Sequence, residues 1–238
     1  ATDLEISLQS TAEIECSGEE TRSFLVPGKR IFEIVKEMDG LITFTADTNM
    51  LNLRSGSVDL SLNIKDAQDF PAFPERIENL MQIDAQFLVS LLNKVSFIIP
   101  SNNSNSALNG LLLEISDTQM SMVATDGHSL ARITTPKYTL NETQKWLLPK
   151  RAVLELKKII QANQSAHVFL GTCGKQLVFS GAHFNFFTKL IAETFPEFLP
   201  VLNREGFMPA RVSRGEFTRT LKRTGCLLAG QFLSTTFN

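Results

Sequence analysis

Residues Thr125 to Ser129 read TDGHS. A carboxylate, an imidazole and a hydroxyl thus fall close together at Asp126, His128 and Ser129, the groups that nucleophilic hydrolysis uses. A working triad draws its members from separate segments, and its serine sits on a sharp turn of the G-x-S-x-G kind. The chain contains no such elbow. His128, His167 and His183 stand at no metal-ligand spacing to one another or to Cys16, Cys173 or Cys226. Neither a P-loop nor a G-x-G-x-x-G motif is present. The expectation is therefore no catalytic residue, no metal and no cofactor, with TDGH forming a tight turn between strands. His167 and His183 are expected as ordinary strand residues. Trp146 and the many phenylalanines are expected in the core.

The elements that hold this turn belong to an ordinary globular chain, since 43% of its 238 residues are hydrophobic and 20% are charged. No apolar run reaches the roughly 18 residues that cross a bilayer; the nearest, from Phe87 to Ile99, is broken by Lys94. Three isolated cysteines fit a reducing compartment rather than a disulfide framework, so a cytoplasmic location is expected. The net charge of −2 gives no bulk attraction to a polyanion. Such a partner must meet positive charge that has been sorted onto one surface.

The Ala-Thr-Asp of this turn also opens the chain, as ATDLEISL. Pro27 follows Asp3 by 24 residues, and Pro149 follows Asp126 by 23. Each proline stands between a short apolar run and a basic pair that begins a helical pattern. Gly56 lies 15 residues before Pro71, and Gly181 lies 15 before Pro196. Four landmarks recur in one order with a period of about 122 to 125 residues, the signature of a duplicated domain. A third copy begins at Val212, where VSRGEFTRTLKRT parallels IDAQFLVSLLNKV with N-cap candidates Ser213 and Asp84. The expected organisation is the later part of one domain at 1–80, a complete domain at 81–204 and the start of a third at 205–238.

Within the complete domain, helices are expected over about 85–98 and 150–161, each followed by three strands. Alternating stretches such as HVFL and FNFF suit antiparallel strands with one buried face. The class is α+β, with helices on one face of antiparallel sheets. The second helix carries Lys150, Arg151, Lys157 and Lys158 against Glu155 alone, over a stripe of Val153, Leu154, Leu156, Ile159 and Ile160. Its counterpart in the first domain has Lys29, Arg30 and Lys36 against Glu33 and Glu37. The third-domain helix has Arg214, Arg219, Lys222 and Arg223 against Glu216. Repetition would align these faces into one basic surface that contacts phosphates without reading bases.

MVATDGHSLARI, LLPKRAVLELKKI, LNGLLLEI and FPEFLPVL, together with ATDLEISL, FLVPGKRIFEI and LRSG…DFP, resemble the bacterial beta sliding clamp family, the processivity subunit of DNA polymerase III. The resemblance implies a DNA clamp fold: a homodimeric ring of repeated domains, with helices lining the inner face and antiparallel sheets outside. It implies a non-catalytic protein that encircles double-stranded DNA and tethers the replicative polymerase. Lys29, Arg30, Lys36, Lys150 and Arg151 match positions on the family's DNA-facing helices, and Asn102 matches a polar contact in a loop. The family also receives short peptide motifs from the polymerase catalytic subunit, the clamp loader and repair polymerases. Matching pocket positions are Leu108, Thr125, Gly127, His128, Ser129, Leu130, Pro196, Pro200 and Val201. Ser129 stands where many relatives carry Arg, and Leu199-Pro200 where a basic pair is common. Leu60, Leu62 and Leu227 match apolar positions of the dimer contact. A repeat-built adaptor that binds peptides without encircling DNA is the alternative, and a hydrolase using Asp126, His128 and Ser129 the third reading. No membrane partner is implied.

Overall fold

The structure is a computed structural model that describes residues 1–15, 21–73, 76–203 and 205–226. It divides into two compact units, Ala1–Phe195 and Pro196–Asn238. The first unit opens with β1 (Ile6–Ser10), β2 (Phe24–Leu25) and α1 (Gly28–Lys36). Strands β3 (Thr43–Ala46), β4 (Met50–Ser55), β5 (Val58–Asn63) and β6 (Lys65–Asp66) follow. The chain then runs through β7 (Glu78–Asp84), α2 (Ala85–Val95), β8 (Gly110–Ile115), β9 (Met120–Thr125) and β10 (Leu130–Thr135). The same order recurs in β11 (Gln144–Pro149), α3 (Lys150–Asn163), β12 (His167–Cys173), β13 (Gln176–Ser180) and β14 (Phe184–Lys189). The second unit holds a 3-10 turn at Leu199–Leu202 and α4 (Arg214–Gly225).

Each half of the central module is therefore strand, helix, three strands. Expectation had three strands after each helix, and those are present; the strands that lead into the helices, β7 and β11, were not foreseen. Glu78–Asp84 lacks a clean alternation of apolar and polar residues. In β11 the consecutive residues Trp146, Leu147 and Leu148 are all buried, and a strand buried on both faces loses the period of two. The halves also exchange these strands: β7 pairs with β12 and β11 pairs with β8, both antiparallel. The sheet orders are β10-β9-β8-β11 and β1-β14-β13-β12-β7.

Local chemistry starts both helices. The Asp84 carboxylate accepts the Phe87 N–H at 2.7 Å, capping α2. Pro149 precedes α3, where a missing N–H costs little. The α2 face made of Leu88, Val89, Leu91, Leu92 and Val95 is buried, and beyond Val95 the helix tightens into a 3-10 turn over Ser96–Ile98. On α3 the buried stripe is Ala152, Val153, Leu156 and Ile160. Leu154, expected in that stripe, is 37% exposed, because three- and four-residue steps from Val153 pass it by. The core shared by these helices and sheets includes Phe179, Phe184, Phe186 and Trp146. Phe32, Phe44 and Phe97 lie outside any core and are exposed. His167 lies on β12 as expected, whereas His183 sits in the turn between β13 and β14.

A smaller core joins Leu51, Leu53, Leu62 and Ile64 to Ile31, Ile34 and Val35 on α1. Leu62 was matched to a subunit contact, but it is only 4% exposed and lies across from Leu51 in the β4–β5 ladder. It is enclosed by its own domain and has almost no surface to give a partner. Leu60 is 40% exposed; Leu227 lies outside the described residues. The first repeat is sewn to the second by main chain. Strand β1 pairs with β14 from Ile6↔Thr188 to Ser10↔Phe184, and the Lys189 N–H donates to the Glu5 carbonyl at 2.9 Å. The Phe73 ring lies 5.7 Å from Phe187 across the same seam.

Candidate functional site

The two Thr-Asp stretches fold into one and the same turn. Thr125 Oγ1 donates to the Ser129 carbonyl at 2.7 Å and accepts the Gly127 N–H at 3.1 Å. Asp126 Oδ1 accepts the N–H groups of His128 and Ser129 at 2.9 and 2.7 Å. In the first repeat, Thr2 Oγ1 donates to the Ile6 carbonyl at 3.1 Å and accepts the Leu4 N–H at 3.0 Å. Asp3 Oδ1 accepts the N–H groups of Glu5 and Ile6 at 3.0 and 2.8 Å. Every one of these bonds recurs at the same offset. The N–H groups of Ser129 and then His128 hold the Asp126 carboxyl below the ordinary carboxylate range. That carboxylate orients main chain, which is not the work of a triad aspartate.

The turn requires a left-handed residue at its third position. Gly127 supplies it at φ 93°, whereas the first repeat uses Leu4 at φ 75°. A side chain there is strained, and Leu4 is 63% exposed, so it recovers little by burial. Leu4→Gly is expected to raise stability by about 0.5–1 kcal/mol, the strain relief outweighing the added freedom of the unfolded chain. Urea midpoints of the two proteins check this; a lower midpoint for the glycine variant would contradict it.

Around the second turn, Leu108 is buried beneath Gly127, whose absent Cβ would lie 3.8 Å from Leu108 Cδ1. Thr125 is buried, Leu130 half-buried, and Gly127, His128 and Ser129 are exposed. At the edge of this region Ser106 hydrogen-bonds the Glu193 carboxyl and holds it below its usual range. Pro196, Pro200 and Val201 belong to the second unit, where all three are exposed and the Val201 N–H donates to the Phe198 carbonyl at 3.1 Å.

The cations of α3 are sorted by partner. Lys150 Nζ donates to Ser101 Oγ at 3.0 Å and Lys157 Nζ to Ser96 Oγ at 3.2 Å. Lys158 pairs with Glu155 at 2.9 Å on the same helix. Arg151 reaches across the seam to Asp3 Oδ2 at 2.7 Å. The polar loop before β8 is wired by its asparagines: Asn109 Oδ1 accepts the Asn103 N–H at 2.7 Å and Asn103 Oδ1 accepts the Asn105 N–H at 2.9 Å. The Lys150 N–H donates to the Asn109 carbonyl at 2.9 Å. The loop is thereby fastened to the start of α3, and Asn102, next in chain to Ser101, is exposed. On α1, Lys29, Arg30 and Lys36 are all exposed, with Lys29 lying 3.9 Å from Glu33. Ser96 and Ser101 carry no signal in the sequence, and Asp3 stands out there only as a repeat landmark. The Asp3 turn was visible as a repeat, but nothing in linear spacing ties residue 3 to residue 151.

A duplicated module of strand, helix and three strands, with cations on its helices, defines an α+β chain of the DNA clamp fold. Residues 82–197 match the DNA polymerase III beta subunit central domain, and residues 1–74 match its N-terminal domain. The chain belongs to the family of bacterial DNA polymerase III beta subunits, the beta sliding clamps. It is 30% identical over 237 residues to the beta sliding clamp of Vibrio cholerae, covering 98% of this chain and 64% of that protein. The crystal structure of DNA polymerase III subunit beta from Pseudomonas aeruginosa superposes with a TM-score of 0.82 at 26% identity, over 93% of this chain and 62% of that one. The Helicobacter pylori beta clamp, bound to a DNA ligase peptide, gives a TM-score of 0.84 at 25% identity, over 95% and 64%. The chain spans roughly three-fifths of the length of the curated relatives it matches. Among the described residues, no helix is long and apolar enough to cross a membrane.

Proposed function

We propose that this chain acts as a sliding clamp: two copies close a ring around duplex DNA and hold the replicative polymerase on its template. The collinear match to two successive beta-subunit domains over most of the chain is the observation that carries this reading. The physics of α3 supports it. A ring holds DNA by topology, so its inner surface needs only weak, sequence-blind phosphate contacts that exchange as it slides. Lys150 and Lys157 rest on neutral serine hydroxyls, acceptors that a phosphate displaces easily. Lys29, Arg30, Lys36, Asn102, Lys150 and Arg151 are the proposed DNA-facing set. The ring contains the domains at 1–80, 81–204 and 205–238, with Leu60 at the contact between copies.

Leu108, Thr125, Gly127, His128, Ser129, Leu130, Pro196, Pro200 and Val201 are proposed to receive short motifs from the polymerase catalytic subunit, the clamp loader and repair polymerases. The peptide-bound Helicobacter pylori relative supports this, as does the bare turn at Gly127, which admits close approach of a ligand. The protein performs no covalent chemistry in this reading, and it works in the cytoplasm. The test is topological. Loaded on circular duplex, the protein should stay bound at high salt and leave once the circle is cut. Rapid loss from the closed circle would overturn the proposal.

A further inference from the structure

We propose that Asp3 sets how tightly the start of α3 grips DNA, by holding Arg151 in an ion pair that a phosphate must displace. The proposal rests on the reading of α3 as a DNA-facing helix. Asp3 divides its two oxygens. Oδ1 accepts the N–H groups of Glu5 and Ile6 at 3.0 and 2.8 Å, while Oδ2 meets Arg151 Nη1 at 2.7 Å. The N–H of Ile6 above all, then that of Glu5 and the Arg151 charge, hold this carboxyl below the ordinary range, so it is ionised at neutral pH.

The pair has little weight as mortar. Its side chains are 64% and 35% exposed, and such surface pairs contribute about 0–1 kcal/mol. The β1–β14 ladder already joins the repeats. Its weight is electrostatic: one of the α3 cations is matched at short range by a carboxylate from the preceding repeat. Lys150 and Lys157, by contrast, are hydrogen-bonded to hydroxyls. A phosphate that takes Arg151 therefore gains an arginine and strands an aspartate beside it. The arginine in turn has a place to return to when the phosphate moves on. Asp3 thus acts on DNA through Arg151, as a positioning residue that keeps this contact weak.

The experiment measures binding of a fluorescein-labelled duplex by anisotropy at about 50–200 mM salt, the range over which phosphate contacts are lost. The proteins are the parent, Asp3→Asn, Arg151→Ala, Lys150→Glu and the Asp3→Asn, Arg151→Ala double variant. Asparagine keeps the Oδ1 acceptor and removes only the charge. Asp3→Asn is expected to bind about three- to tenfold tighter at low salt, with a slope of log K against log salt steeper by about 0.9, one added phosphate contact. In the Arg151→Ala background the same substitution should change nothing, which a merely structural role for Asp3 would not produce. Unchanged or weaker binding by Asp3→Asn, or a gain that persists without Arg151, overturns the proposal. If neither Arg151→Ala nor Lys150→Glu weakens binding, the reading of α3 as a DNA face fails first, and this proposal fails with it.

Discussion

Truncating Phe186 to alanine is expected to lower the unfolding free energy by about 3–5 kcal/mol. The ring is fully buried in the main core with Phe179 and Phe184. It sits on β14, which has a hydrogen-bonded neighbour on each side, so Phe186 faces Leu8 on β1 and Phe179 on β13. Backbone ladders on both sides limit how far the walls can collapse into the space left behind. The loss is therefore expected near the upper end of the range for an aromatic truncation. Against a total stability of about 5–15 kcal/mol it is a large fraction. Urea unfolding should show a lower midpoint with an unchanged slope, the signature of lost stability rather than an altered denatured state. A loss under about 1 kcal/mol, below the span for buried phenylalanine, would mean that this part of the core is loosely filled.

The second large effect concerns DNA. Reversing Lys150 and Arg151 to glutamate together is expected to weaken duplex binding about ten- to hundredfold at low salt, and to flatten the log K–log salt slope by about 2. Each removed cation forfeits one released counterion, and each new carboxylate repels the same phosphates. Stability should hardly move, because Lys150 is bonded to the exposed Ser101 hydroxyl and the Arg151 pair is a surface one. The control is Lys189→Glu, an exposed lysine at the end of β14 on the sheet rather than a helix, which should leave affinity nearly unchanged. Equal losses in both proteins would indicate general charge rather than an α3 surface. Unaltered DNA synthesis by the cognate polymerase with the double reversal would favour an adaptor that never surrounds the duplex.

Features written within one element were the legible ones. Helix α2 announced itself through Asp84 followed by apolar residues at helical spacing, and α3 through Pro149 and its lysines. The Thr125 turn could be anticipated because a glycine, an aspartate and a threonine together encode it without outside help. Pairing across the chain was not legible. Nothing in QKWLLP says that it lies beside β8 rather than with the strands that follow α3, since a fully buried strand has no polar face to mark its register. Leu154 was legible as an outside residue, since steps of three and four from Val153 pass it by. The burial of Leu62 was not, because on a short strand an apolar residue is inside or outside according to what packs over it. Of the candidate site, the cations and the turn were readable, but the carboxylate that meets Arg151 arrives from the far end of the chain. Leu4 was hidden for a different reason. A leucine in a left-handed turn contradicts local preference, and only superposing the two repeats shows why the backbone must tolerate it.

The pairing of β1 with β14 has a mechanical consequence. A junction built from consecutive peptide hydrogen bonds resists being pulled apart, because separating its two strands means breaking several bonds together. A protein of this design cannot gape at that joint while its strands stay paired. Any opening that leaves those strands paired has to occur at some other seam.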